Sequence, residues 1–356
     1  MSESCGIADC QHGASYEDAI SFDALWESAI RCRVNVSWKP SVKQFMNNLA
    51  LQILDMHTRL SDGSWKNGRP HEIDILYPKR RKGLSIRFPD RVYQRSMNDN
   101  VLYPETTRHF VIGNCACQKG KGTDFARMLA KKYIRRHIIR YGLEGYLVQV
   151  DIHGYYQNMI HQKVKECFRR YIPWDVEQHI EEVLDQQYAG DIGYNPGSQM
   201  VQIAGISLLN PLDHKIKERL RQKNYIRYMD DFWVLCPTKT EAEQVLAYIK
   251  QHLSDDYGLE VNKRKTHVTP LLQGFRFFGF DYHIEPNGHI WMTVDPASVK
   301  HERKKVYRFA KGVRNETISL KKAEDCIFSW FAHAMTGNSI RLVRRMNDYF
   351  NETRRA

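Results

Sequence analysis

YIRYMDDFWVLC (225–236) decides the reading of this chain. Two runs of apolar and aromatic residues flank a pair of acids, Asp230 and Asp231, in the pattern of two short strands around a tight turn. Most acidic pairs sit in surface turns or helix caps. This pair is embedded in strand-like sequence, where two ionised carboxylates are costly unless paired or bound to a cation. A third acid ends an apolar run upstream: YLVQVDI (146–152) reads as a strand that reaches Asp151. With that strand beside the hairpin, three carboxylates meet on one sheet edge. Such a cluster suits hard divalent cations, which prefer oxygen ligands and, when two lie roughly 3.5–4 Å apart, promote in-line phosphoryl transfer.

Outward from the hairpin, NMIHQKVKECFRRYI (158–172) and SQMVQIAGISLLNPLDHKIKERL (198–220) read as helices. The second carries small residues, Ala204, Gly205 and Ser207, where another group can approach closely. Thr240 and Glu243 fit a capping box that opens an amphipathic helix with Ala242, Val245, Leu246, Ile249 and Leu253 on one stripe. GFRFFGFDYHI (274–284) reads as strands, and the chain after Pro296 as a helical, basic tail. Upstream, KPSVKQFMNNLALQILDMHTRL (39–60) reads as helix, with Phe45, Leu49, Ile53 and Leu60 near one face, and PKRRKG (78–83) as a basic loop. SIRFPDRVYQRSMNDNVL (85–102) reads as a short strand, a proline stop and a helix. TDFARMLAKKYIRRHIIRYG (123–142) is a long basic helix ending at Gly142. The central order of strand, helix, helix, hairpin, helix, strand predicts an α+β fold with a sheet backed by helices.

The length of 356 residues allows one large domain or two to three modules, and 42% hydrophobic residues suffice for a packed interior. No apolar run approaches the roughly 20 residues of a membrane helix. MSESCGIADCQHG lacks the basic start and apolar stretch of a secretory signal, so a cytoplasmic protein with no membrane partner is expected. Eight cysteines form no CxxC pair; Cys5, Cys10 and His12 lack a second pair of metal ligands, and free thiols are expected. The net charge of +12 is concentrated: residues 79–140 hold 16 Lys/Arg against 4 Asp/Glu, and residues 300–356 hold 14 against 6. Two basic zones with interleaved aromatics predict surfaces that neutralise nucleic-acid phosphates.

Tyr228-Met229-Asp230-Asp231 resembles the signature of reverse transcriptases, and further stretches follow in that family's order. VQVDIHGYY (148–156) resembles its first catalytic motif, PGSQMVQIAGISLLNPLDH (196–214) its Gly…Gln helix, GLEVNKRKTHV (258–268) its Leu-Asn-x-x-Lys-Thr motif and GFRFFGF (274–280) its primer-grip turn. SIRFPDRVYQR (85–95) and CQKGKGTDFA (117–126) resemble the fingers motifs. The resemblance implies a right-hand polymerase fold: an N-terminal extension, mostly helical (1–78), fingers (79–145), a palm with an antiparallel sheet and the catalytic site (146–285), and a helical thumb (286–356). It implies an RNA-directed DNA polymerase with two Mg²⁺ ions, or Mn²⁺, acting on dNTPs, an RNA template and a DNA product. A dedicated noncoding RNA, a homo-oligomer and a partner protein stay open.

Residue by residue, the resemblance implies Asp151 and Asp230 as ligands of both metals, Asp231 as a weaker one, and the Ile152 carbonyl as a further one. Tyr156 lies under the incoming sugar, Gln202 contacts nucleotide or template, and Lys265 either protonates pyrophosphate or is a solvated lysine. Arg87, Lys119 and Lys121 are triphosphate candidates, Gly120 and Gly122 admit backbone amides to phosphate, and Gly279 shapes the turn under the primer end. Arg341, Arg344 and Arg345 track the duplex. The helix motif lacks the Gln-Gly-x-x-x-Ser-Pro form of group II intron and retroviral enzymes, and the retron thumb triplet is missing, with only Val268-Thr269-Pro270 near it. No endonuclease, integrase or RNase H segment follows the thumb. These departures point to a compact bacterial enzyme of antiphage defence, with a diversity-generating element as the alternative. A nucleic-acid-binding scaffold without synthesis, and untemplated or protein-primed extension, are the remaining readings.

Overall fold

A computed structural model describes residues 15–76, 80–195 and 197–356. The described residues form nine strands: β1 (His71–Ile75), β2 (Arg81–Ser85), β3 (Tyr146–Asp151), β4 (Tyr225–Tyr228), β5 (Asp231–Cys236), β6 (His267–Pro270), β7 (Phe275–Phe277), β8 (Phe280–Ile284) and β9 (Ile290–Val294). They make a β1–β2 hairpin, a central antiparallel sheet in the order β4-β5-β3-β6, and a β7-β8-β9 meander.

Strand alternation assigns the two faces of the central sheet. Val148, Val150, Phe232 and Val234 enter the larger core, which holds Ile249 and Leu253 of the Lys239–Tyr257 helix. Leu147, Ile226, Trp233 and Leu235 turn the other way. They bury against the Thr123–Tyr141 helix and the β7-β8-β9 sheet. Each fully buried Leu or Val there contributes roughly 1.5–3 kcal/mol of transfer free energy. Asp151 continues the parity of Leu147, and Asp231 that of Trp233. The alternation that buries these apolar residues therefore places both acids on the second face, at the end of the sheet.

The expected elements are present with several differences. The stretch 39–60 is two helices, Pro40–Asn47 and Leu49–Ser61, with non-helical backbone at Asn48 between them; Phe45, Leu49, Ile53 and Leu60 are all buried. The stretch 198–220 divides into Gln199–Ser207, Asn210–His214 and a π-turn, Lys215–Arg219. Pro211 explains the break, because it has no N–H to give to the preceding turn. Thr238, not Thr240, caps the Lys239–Tyr257 helix: its extended backbone lets its hydroxyl accept the Glu241 amide. Thr-x-x-Glu occurs twice in overlapping register, and the first copy is used. Residues 81–83, expected in a loop, pair in β2, where Lys82 faces Asp74 across the hairpin.

The Trp174–Gln187 helix and β9 were not expected; β9 carries the third sheet past residue 285. Three helices, Pro296–Arg314, Leu320–Met335 and Ile340–Arg355, close on their own core of Val306, Ile327, Phe331, Met346 and Phe350. Asn338 ties them to β9 through two hydrogen bonds with the Met292 backbone. Cys32, Cys115, Cys117, Cys167, Cys236 and Cys326 are free thiols, while Cys5, Cys10 and His12 lie outside the described residues. No described helix is long and apolar enough to cross a membrane.

Candidate active site

Asp151 and Asp231 are direct cross-strand partners, and Tyr228 pairs with Asp231 to close the β4–β5 hairpin over Met229 and Asp230. The amide of Ile152 donates to the Asp230 carbonyl at 3.3 Å, drawing the turn against the end of β3. Three acids from two distant segments thus share one place. Burial raises the Asp230 carboxyl above the usual carboxylate range, with the Asp151 charge adding to the rise. Solvent reaches Asp231, but protein crowds it. That crowding, followed by the charges of Asp230 and Asp151, raises its carboxyl to about 7. Carboxylates so placed gain from added positive charge.

Met229 sits at the turn with φ +56°, a conformation that hairpins usually give to glycine. For a residue with a side chain it stores about 1–3 kcal/mol of strain. Arg227 holds it: Nη1 donates to the Met229 carbonyl at 3.0 Å and Nη2 to the Ile206 carbonyl at 2.8 Å. Its Nε and Nη2 also donate to the Asp213 carboxylate, both at 2.6 Å. Arg227 and Asp213 are both 0% exposed. Burial pushes the guanidinium pKa down, and Asp213 more than reverses this, so the guanidinium stays charged. The Tyr225 hydroxyl also donates to Asp213. One buried ion pair therefore links the acidic turn, β4 and the Gln199–Ser207 helix.

Lys265 donates from Nζ to Asp151 Oδ2 at 2.7 Å, and this bond raises its pKa. It is a counter-ion to one carboxylate and is itself exposed. The bonds flanking Ile152 run from His153 N to Glu260 O and from Asn262 N to Asp151 O, so the Ile152 carbonyl takes part in neither. Tyr155 and Tyr156 divide their roles. Tyr155 is buried and donates to the Gly205 carbonyl at 2.6 Å, while the Tyr156 hydroxyl lies 3.6 Å from Met229 Sδ beside the acidic turn. A methyl group at Gly205 would meet the Tyr156 hydroxyl at 2.7 Å, so glycine makes room for that ring. Gln202 is the exposed residue of a helix otherwise buried from Met200 to Ser207.

Among the described residues no three His, Cys, Asp or Glu side chains form a ready-made metal cage. The donor set still fits a hard divalent cation. Such an ion is held by one or two carboxylates and completes its shell with water and substrate phosphates, and crowded acids with raised pKa values gain from its charge.

The reverse transcriptase (RNA-dependent DNA polymerase) family profile matches residues 90–282, more than half of the chain. The chain belongs to the reverse transcriptase family. Among solved structures, telomerase from Candida albicans, in complex with a fragment of telomeric RNA, superposes with a TM-score of 0.50 at 13% identity. The match covers 81% of this chain and 55% of that one. The apo telomerase of Candida tropicalis gives 0.49 at 15% identity over 65% of this chain and 55% of that one. This chain spans about half the length of those telomerase chains. No curated protein sequence matches it. The likeness gives the right-hand polymerase fold, in α+β form.

Around this reverse transcriptase centre the remaining candidates are placed as follows. The Phe278–Gly279 turn has positive φ at both residues, 46° and 80°, as a two-residue hairpin requires. Phe278 packs edge-on against Tyr228 at 4.9 Å, bringing the turn beside the acidic hairpin. Residues 113–115 bond along β4, from Arg227 N to Gly113 O and from Cys115 N to Arg227 O, and lead into the 117–122 loop. There Lys119 is exposed over the Tyr103 ring. Lys121 turns inward, donating to Asn114 O at 3.1 Å and Gln118 Oε1 at 2.9 Å, and burial lowers its pKa. Arg87 forks onto the buried Asp90 carboxylate through Nε at 2.8 Å and Nη2 at 3.0 Å. Arg341, Arg344 and Arg345 project from the Ile340–Arg355 helix, exposed and outside any salt bridge among the described residues.

Sequence reasoning missed the Arg227–Asp213 pair. A signal was present, since Arg227 is itself a charge inside the strand-like run 225–236, as costly to bury as the acids beside it.

Proposed function

We propose that this chain is an RNA-directed DNA polymerase that adds dNTPs to a primer on an RNA template. The observation that carries the reading is the cross-strand pairing of Asp151 with Asp231 beside the turn that presents Asp230, inside a reverse transcriptase family match. The primer 3′-oxygen bonds to the α-phosphorus of the dNTP, the bond from that phosphorus to the β-phosphate oxygen breaks, and pyrophosphate leaves. Asp151 and Asp230 would hold two Mg²⁺ ions, replaceable by Mn²⁺, with Asp231 and the Ile152 carbonyl as further ligands. When bound, these ions neutralise phosphate charge and acidify the 3′-hydroxyl.

The chain's own groups position the reactants. Tyr156, standing against Met229, bounds the sugar and disfavours a 2′-hydroxyl; Gln202 contacts the nucleotide or template. Lys265 exchanges Asp151 for the leaving pyrophosphate and protonates it. Arg87, Lys119 and Lys121 bind the triphosphate, with Arg87 and Lys121 released from their present partners. The Gly279 turn supports the primer end, and Arg341, Arg344 and Arg345 follow the duplex. Residues 79–145 serve as fingers, 146–285 as palm and 286–356 as thumb, with the 1–78 extension ahead of them.

In biological terms we place the chain in the bacterial branch, in antiphage defence; the GSQMVQ form of the helix motif supports this. Gly120-Lys121-Gly122-Thr123 suits this reading and a second one, a diversity-generating enzyme, alike. The test is extension of a DNA primer on RNA with labelled dNTPs. Wild type incorporates label with Mg²⁺, and Asp230→Asn loses at least about 10³-fold while keeping the wild-type circular dichroism spectrum. RNA binding without incorporation under any divalent metal would contradict the proposal and leave a binding scaffold.

A further inference from the structure

The Thr123–Tyr141 helix has two faces of opposite character. Ala126, Leu129, Ala130, Tyr133 and Ile134 are buried against Ile226 and Trp233 of the central sheet. The outward face carries Met128, Lys131, Lys132, Arg135, Arg136, Ile139 and Arg140, at the spacing of one continuous stripe, and lines a shallow groove of about 520 Å³. Ile139 is 87% exposed. Among the described residues none of these five cations is in a salt bridge.

The stripe works against the helix that bears it. Lys131 and Arg135, Lys132 and Arg136, and Arg136 and Arg140 are like charges four residues apart, an arrangement that destabilises a helix. A second element adds to the crowd. Arg136 donates to the Lys223 carbonyl at 3.0 Å, Lys217 donates to the same carbonyl at 3.3 Å, and Arg136 and Lys223 lower the Lys217 pKa after burial does. Cations kept this close, without an acid, are matched by a polyanion.

The stripe lies away from the carboxylates. It points opposite to the face that covers the catalytic sheet. Its Arg136 end is anchored at Asn224, with the length of β4, about 13 Å at strand rise, between that point and the turn that bears Asp230. The row from Met128 to Arg140 is about 18 Å long, and a duplex presents a phosphate about every 1.7 Å of its axis. On this helix one exposed aromatic, Tyr141, adjoins the stripe, at its end beneath Arg140; a single stacking platform beside five cations favours the backbone of a duplex over a single strand. The helix's main apolar face is already in the core, and Met128 and Ile139, set among five cations, are too few to form an apolar face that would lie in a membrane.

We propose that this stripe, with Lys217 and Lys223, is a second nucleic-acid site that grips the phosphate backbone of a duplex outside the catalytic cleft. Its place in synthesis rests on the polymerase reading above; its existence does not. Two sources offer the same phosphates: a folded stem of the template RNA, and the product duplex leaving the cleft.

The test compares wild type with the Lys132→Glu, Arg135→Glu, Arg140→Glu triple variant in the full chain. Fluorescence anisotropy reads the affinity for a 20-base-pair RNA hairpin and for an RNA–DNA hybrid of the same sequence, across a salt series. The reversal should weaken the preferred duplex at least about tenfold and reduce the salt slope by about 2–3. Extension of a short primer–template that fills only the cleft should stay within about twofold. Thermal stability should hold, because reversal replaces repulsive pairs by attractive ones. The matching Gln variant should lose a smaller part of the affinity, which covers the case of a misfolded reversal. Which duplex loses more identifies the source. Unchanged affinity and slope for both duplexes, or an equal loss on the short primer–template, would overturn the proposal. Weakened duplex binding in a protein that extends no primer would uphold the surface and refute the polymerase reading instead.

Discussion

Asp231 stands at about 7 against an ordinary 3.8, raised by burial and by its acidic neighbours. While protonated it favours the folded chain. That contribution is complete below the ordinary value and is lost as pH rises through about 7. In chelator, wild type should therefore lose thermal stability between pH 4 and 8 more steeply than Asp231→Asn. Parallel melting curves for the two proteins across that range would count against the crowding described here. At this scale the sequence was legible wherever a residue type was costly in its setting. The three acids in apolar runs follow from that logic. What escaped it was occupancy. Nothing in the spacing reveals that Arg87 forks onto Asp90, or that Lys121 turns toward Asn114, because both partners are set by packing.

At the scale of elements, the β4–β5 hairpin holds a strained turn by a buried ion pair rather than by a glycine. Removing one member leaves an uncompensated charge in the core. Arg227→Ala should destabilise the protein by about 3–5 kcal/mol in urea unfolding. The double change Arg227→Met with Asp213→Leu should recover most of that stability, since an apolar pair of similar volume replaces both charges. It should not recover primer extension, because the Met229 carbonyl still lacks its donor. Full recovery of both would reduce the pair to a core-filling role. Strands and long helices were readable from periodicity, and the hairpin from its acidic turn. The broken helices were not, because apolar spacing runs on through Asn48 and Leu209 while the backbone does not. The Trp174–Gln187 helix and β9 have weak local signals, and their partners decide them.

At the scale of the molecule, residues 146–151, 225–236 and 267–270 become one sheet, and its alternation puts apolar side chains under the helices and acids at the rim. Of the two basic zones seen in the composition, the first divides between the stretch of β2 with the Phe88–Met97 helix and the 117–141 segment beside that sheet, and the second is the three C-terminal helices. Their faces were not readable, since charge density says nothing of direction until the core claims one side of each helix. The account depends on carboxylates from β3 and from the β4–β5 turn acting on the same cations. Paramagnetic titration of the purified protein with Mn²⁺, in the presence of a primer–template and a non-hydrolysable dNTP, measures this most directly. The account predicts two bound ions in wild type, and loss of both in Asp151→Asn as well as in Asp230→Asn. Two ions retained in either variant would contradict it.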